Sequence, residues 1–197
     1  MRETPSRAMR PKKRGRSAMP ACLGLLAGIA VAAGLVRPAA AEDRAPVEEN
    51  AKQAVGLFLR SCVEFSGDRD GLREWIRKSG FPQIRDKGAE IFLYGLPGSV
   101  YDASANGTKL VLVTEDNGSC SAFAPLADGA IVLSELERIL RDSRVKLDIT
   151  ADKSDSRENK LRHREYKATG AKREWQMLVS TVSDPAGGEA MLTANPW

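Results

Sequence analysis

Two Asn-Gly dipeptides, Asn106-Gly107 and Asn117-Gly118, each stand between short runs with strand character. Asn-Gly suits a two-residue hairpin turn, because both residues accept positive φ at low cost. The two turns therefore predict an antiparallel meander with strands at about Ser99 to Ala103, Thr108 to Thr114 and Ser119 to Ala124. The preceding Pro97-Gly98 has the composition of the central pair of a type II turn. It is not a phosphate loop, since no Lys-Ser/Thr ending and no strand-to-helix setting accompany it.

Helical spacing flanks the meander. Val47, Ala51, Ala54, Val55, Phe58, Leu59 and Cys62 recur every three or four residues and form one apolar stripe, with Pro46 where a helix start tolerates proline. "DGLREWIRKSG" predicts a second helix with Leu72, Trp75 and Ile76 inward and Gly80 as its stop, and a short third one fits Ile84 to Phe92. After the meander, Ser134 and Glu137 have capping-box spacing, opening a helix whose Leu136, Ile139 and Leu140 face inward. Three or four strands are then expected, at Val145 to Ala151, Lys160 to Ala168, Glu174 to Val182 and Ala190 to Ala194. The fold class read from this order is α+β: N-terminal helices packed on a largely antiparallel sheet, with one further helix between a three-stranded meander and C-terminal strands.

The first 41 residues read as a signal peptide. A basic stretch (Arg2 to Arg16, with the single acid Glu3) precedes the apolar run Ala18 to Val36, and Ala39-Ala40-Ala41 supplies the small residues of a cleavage site before Glu42. The alternative is retention of the run as one membrane anchor. Cys22 lies too early in the apolar run to be a lipidation site. Eight of the 30 Lys and Arg and one of the 26 Asp and Glu belong to this segment. A single domain of residues 42–197 would keep 22 basic against 25 acidic side chains, a net charge of about −3. The basic character of the whole chain thus belongs to its leader, and nucleic acid is not an expected partner.

Cleavage would leave Cys62 and Cys120. An even count in an oxidising compartment reads as one disulfide, and both positions fall on core-facing stripes, of a helix and of a strand. A nucleophilic cysteine would need a base, and the only histidine is His163. Two cysteines and one histidine also lack the paired spacing of zinc sites.

The remaining candidates are few. "KLRHREYKA" places Arg162, Arg164 and Tyr166 on one strand face, where they could contact an acidic ligand; the plainer reading is a charged edge strand that discourages sheet association. Trp75, Trp175 and Trp197 could make a contact surface, although Trp75 sits on a core stripe. Asp102, Glu115 and Asp116 fall at strand ends and turns, where a carboxylate pair for hydrolysis would need a fixed separation. No catalytic residue, metal ligand or cofactor motif follows from these patterns. The functional expectation is a periplasmic or secreted, non-enzymatic binding or accessory module; the alternative is a small periplasmic hydrolase using carboxylates of the meander turns. The module's partner would be a protein or small ligand of the cell envelope, with the membrane involved only if the leader is uncleaved.

"LPGSVYDAS", "KLVLVTEDNGSCSAFA", Cys62 and "LREWIRKSG" together resemble a group of small, uncharacterised secreted or lipid-anchored proteins of Gram-negative bacteria, over about Val47 to Leu126. The resemblance implies an exported bacterial protein with one disulfide and carries no activity. The chain departs from the lipid-anchored members in lacking a usable lipidation cysteine.

Overall fold

A computed structural model describes residues 45–155, 161–171, 173–184 and 187–196. The leader, its cleavage site and Trp197 lie outside the described residues.

Helix α1 (Ala45–Phe58) runs into one π-helical turn, Leu59–Val63. The apolar stripe is buried as its spacing requires, with Ala51, Ala54, Val55, Phe58 and Cys62 all at 0–1% exposure. Helix α2 (Arg69–Ser79) starts at Asp68, whose carboxylate accepts from Gly71 N at 2.9 Å, and stops at Gly80 with φ +71°. Leu72 and Ile76 enter the core, and Trp75 packs between Phe65 and Phe81 at ring distances of 6.2 and 5.6 Å.

The third helix starts later than expected. Ile84 belongs instead to a two-residue strand β1 (Gln83–Ile84), because Asp86 turns the chain through positive φ (55°) before α3 (Lys87–Leu93). The turn expected at Pro97-Gly98 lies earlier, at Tyr94 and Gly95, whose φ values are 49° and 80°. Gly98 opens strand β2 (Gly98–Asp102), where a Cβ would come within 2.3 Å of the Thr114 carbonyl oxygen. It is needed for close strand approach.

Strands β3 (Val111–Glu115) and β4 (Cys120–Ala127) complete the meander. Asn106 and Gly107 both have positive φ (52° and 82°), and Thr108 N donates to Ala105 O at 2.9 Å, the expected two-residue turn. At the second dipeptide only Gly118 has positive φ (98°), and Gly118 N donates to Glu115 O at 3.0 Å. That turn is a three-residue loop with a glycine bulge, and Asn117 accepts from Ser119 N at 2.8 Å instead of taking the left-handed position itself.

Helix α4 (Gly129–Asp142) begins well before Ser134: Asp128 is the N-cap, accepting from Ala130 N and Ile131 N at 2.8 and 3.1 Å. Ser134 lies inside the helix, where its hydroxyl returns to Ile131 O at 3.1 Å. Strands β5 (Lys146–Asp155), β6 (Leu161–Thr169), β7 (Glu174–Val182) and β8 (Gly188–Pro196) follow. The eight strands of the described residues join one antiparallel sheet in the order β1-β2-β3-β4-β8-β7-β6-β5. The last strand enters the middle, and α1 and α4 cover one face. Leu112, Ala122, Leu192, Val179 and Ala168 line that face at 0–1% exposure. Cys62 and Cys120 are bonded across it, pinning the π-helical turn to β4. Among the described residues no helix is long and apolar enough to cross a membrane.

Strand β6 is not an edge. The edges are β1 and β5, and β6 pairs along its whole length with β5 and β7. Its charged residues are tolerated inside the sheet because oppositely charged partners reach them. The β5–β6 register shifts between Ile149 and Ala151, which moves Asp152 onto the helix-covered face opposite Arg164.

Candidate functional site

Arg162, Arg164 and Tyr166 lie in one row of β6 beneath α4. Arg162 Nε and Nη2 donate to the Asp152 carboxylate at 2.9 and 2.8 Å. Arg164 donates to Asp152 and, through Nη1, to Glu137 Oε1 at 2.8 Å. The Tyr166 hydroxyl, on a residue only 1% exposed, donates to the same Glu137 oxygen at 2.8 Å. This row joins sheet to helix, and the donors of Arg164 and Tyr166 are directed at protein carboxylates. Burial, then the Glu137 hydrogen bond, pushes the Tyr166 hydroxyl above its ordinary range.

Hydrogen bonds from Arg162 and Arg164 hold the Asp152 carboxyl well below its ordinary value. Because the folded value is the lower one, the stabilisation is present above an unfolded-state pKa of about 3.9 and is lost as pH falls through the folded value. The native protein should therefore lose stability on acidification below about pH 4 more steeply than Asp152→Asn, which has no carboxyl to protonate. Urea midpoints at several pH values check this, and parallel pH profiles would contradict it.

The carboxylates of the meander do not converge. Asp102 pairs with Val111 and Glu115 with Gly98, four residues apart along β3, which at 3.3 Å per residue is about 13 Å. This backbone spacing sets the two residues at opposite ends of the β2–β3 pairing. Each has a local role as well. Hydrogen bonds from the Ser104 hydroxyl and from Ser104 N, the latter at 2.9 Å, lower the Asp102 pKa, Asp116 pairs with Arg69 at 3.1 Å, and Glu115 accepts from Asn117 at 2.9 Å.

His163 and Ser180 form a pair that the sequence pattern did not reveal, with Nδ1 and Oγ 2.8 Å apart. They are directly opposite in the β6–β7 register, so their meeting follows from strand pairing. Both residues lie within the β6–β7 ladder, and β6 also pairs with β5. Trp175 is buried beneath Arg173, 5.9 Å from its ring centre, and its Nε1 has no hydrogen-bond partner among the described residues. With Trp75 in the helix packing and Trp175 at 4% exposure, these two do not form a shared surface. Among the described residues no cluster of three His, Cys, Asp or Glu side chains could hold a metal.

The sheet face opposite α1 and α4 is different. Helix α3 covers its β2–β3 end, where Val100 is fully buried, and reaches β4 where Phe92 meets Phe123 edge-on at 5.5 Å. Beside α3 the part of the sheet that the described residues leave uncovered forms a groove of about 530 Å3. Phe123, Met191, Leu178 and Val113 line its floor, with Ile91 and Tyr94 on the helix wall. Ile91 and Tyr94 are 66% and 86% exposed. The polar floor groups are paired with one another: Ser119 donates to Asn195 at 2.9 Å, and the Ser121 and Thr193 hydroxyls are 2.8 Å apart. Its size and mixed lining are those of a small-ligand site. The signal for it in the sequence was Phe123 alternating with Ser119 and Ser121 on the face away from Cys120; β8, which supplies half the floor, is over 60 residues downstream. No protein-family model matches the chain, and neither a curated protein nor a solved structure is similar enough to match it.

Proposed function

We propose that this is an exported, non-enzymatic binding or accessory module of the periplasm or the secreted fraction, and that the groove between α3 and the open sheet face is where it engages an envelope protein or small ligand. The observation that carries the reading is an apolar groove of about 530 Å3 on a sheet face that α3 covers only in part. Support for export comes from the basic, apolar and Ala-Ala-Ala succession of residues 1–41, from the resemblance to secreted Gram-negative proteins, and from the buried Cys62–Cys120 bond, which suits an oxidising compartment. Nucleic acid is not the proposed partner, given the acidic balance after the leader.

An uncharged fluorescent probe, N-phenyl-1-naphthylamine, tests the groove. The protein should bind it saturably, and Met191→Arg, on the half-buried floor of the groove, should weaken binding at least tenfold while the urea midpoint stays near that of the native protein. Unchanged binding by a folded Met191→Arg variant would sink the proposal. Intact mass and cell fractionation test export: a mature start at Glu42 in the periplasmic fraction is expected, and the full mass in the membrane pellet would overturn cleavage.

A further inference from the structure

The charge along the groove selects its ligand. Among the described residues that line it, the only ionisable carboxylates are Glu115 and Glu189, and no lysine, arginine or histidine is present. Strand β8 runs the length of the floor from Glu189 through Met191 and Thr193 to Asn195, and β4 sets Phe123 beside Met191 and Ser121 beside Thr193. Six residue steps of β8 span about 20 Å. Glu189 lies at one end, and Glu115 lies beside Ser119 and Asn195 at the other. Between the acids are the rings of Phe92, Phe123 and Tyr94, the last 86% exposed at the rim. Arg69 and Arg73, which border Glu115 on its other side, are held by Asp116 at 3.1 and 3.7 Å.

The geometry points to a small organic cation with an apolar body as the ligand of this groove: an ammonium group beside a carboxylate and the aromatic rim, with its hydrocarbon part on Phe123, Met191 and Leu178. This rests on the proposed groove. Ring faces attract an ammonium group, and a carboxylate at the groove end adds to that attraction. The hydroxyls of Ser121 and Thr193 are paired with each other, so hydrocarbon can cover this floor without taking their hydrogen bond away. An anion of the same shape would meet two carboxylates and no basic side chain among the described residues of the lining.

The test uses the protein in the form the producing cell accumulates, loaded with N-phenyl-1-naphthylamine. Three competitors with the same chain, all below their micelle concentrations, are compared: decyltrimethylammonium, decyl glucoside and decyl sulfate. The cation should displace the probe at about one-tenth the concentration of the glucoside, and the sulfate should be weakest. Glu115→Gln combined with Glu189→Gln should remove most of the cation's advantage and leave the glucoside unchanged, and added salt should do the same. Saturable probe binding with equal displacement by all three would overturn the inference and leave the groove standing. Loss of cation and glucoside affinity together in the double variant would also overturn it. Absence of any probe binding would remove the groove proposal itself, and this inference with it.

Discussion

Replacement of Cys62 or Cys120 by serine is expected to lower stability by about 2–5 kcal/mol. The bond closes a loop of 58 residues, and both cysteines are nearly inaccessible, at 1% and 4% exposure. In the chain-entropy account, a loop of that length limits the unfolded ensemble by about 4 kcal/mol. The serine hydroxyl adds its own cost, since it enters a core where α1 meets β4. The double replacement should cost little more than one, because both remove the same bond. Urea unfolding of the native, reduced and substituted forms measures the effect, and thiol titration of the unfolded, unreduced protein should find neither cysteine free. Two free thiols in freshly isolated protein, or additive single effects, would contradict the pairing.

A second large effect is expected at Glu137. Its carboxylate accepts from the buried Tyr166 hydroxyl and from Arg164, each at 2.8 Å, and it lies 3.6 Å from Arg141. The Arg164 and Glu137 side chains are 15% and 19% exposed, so water cannot fully replace either partner. Glu137→Ala leaves a buried phenol without an acceptor and reduces Arg164 to Asp152 alone, and should cost about 2–4 kcal/mol. Tyr166→Phe should cost about 1 kcal/mol, and less in the Glu137→Ala background, because the bond is already gone. Glu135→Ala is the control: its Arg138 partner is 57% exposed, and the loss should stay within about 0.5 kcal/mol. Equal losses for Glu135→Ala and Glu137→Ala in urea unfolding would show that the Tyr166–Arg164 row does not join α4 to the sheet.

These two sites differ in how far local pattern reached them. The cysteine pair was legible because each residue sits on a short-period stripe, three or four residues in α1 and two in β4, and both stripes point to the core. The Glu137 network was not. The strand "KLRHREYKA" carries charge on both faces, which in isolation describes an edge. It lies inside the sheet because the shift in β5 brings Asp152 onto the helix face and α4 supplies Glu137, neither of which is local to β6. The capping-box spacing of Ser134 and Glu137 misled for a related reason: Asp128, six residues earlier, caps the helix, while Glu137 is turned toward Tyr166.

By itself the sequence determined the α+β order, the helix stop at Gly80, the hairpin at Asn106-Gly107 and the inward stripes of α1 and β4. Each depends on backbone preferences and side-chain periods that operate over a few residues. Tertiary structure alone decided that β8 enters the sheet between β4 and β7, and that α3 covers only one end of the opposite face. Strand order depends on pairings between distant segments, such as Cys120 with Ala194, which compete through burial of whole faces and leave no short-range pattern. The groove exists only after that competition ends, because its floor joins Phe123 to Met191 and its acids come from β3 and β8.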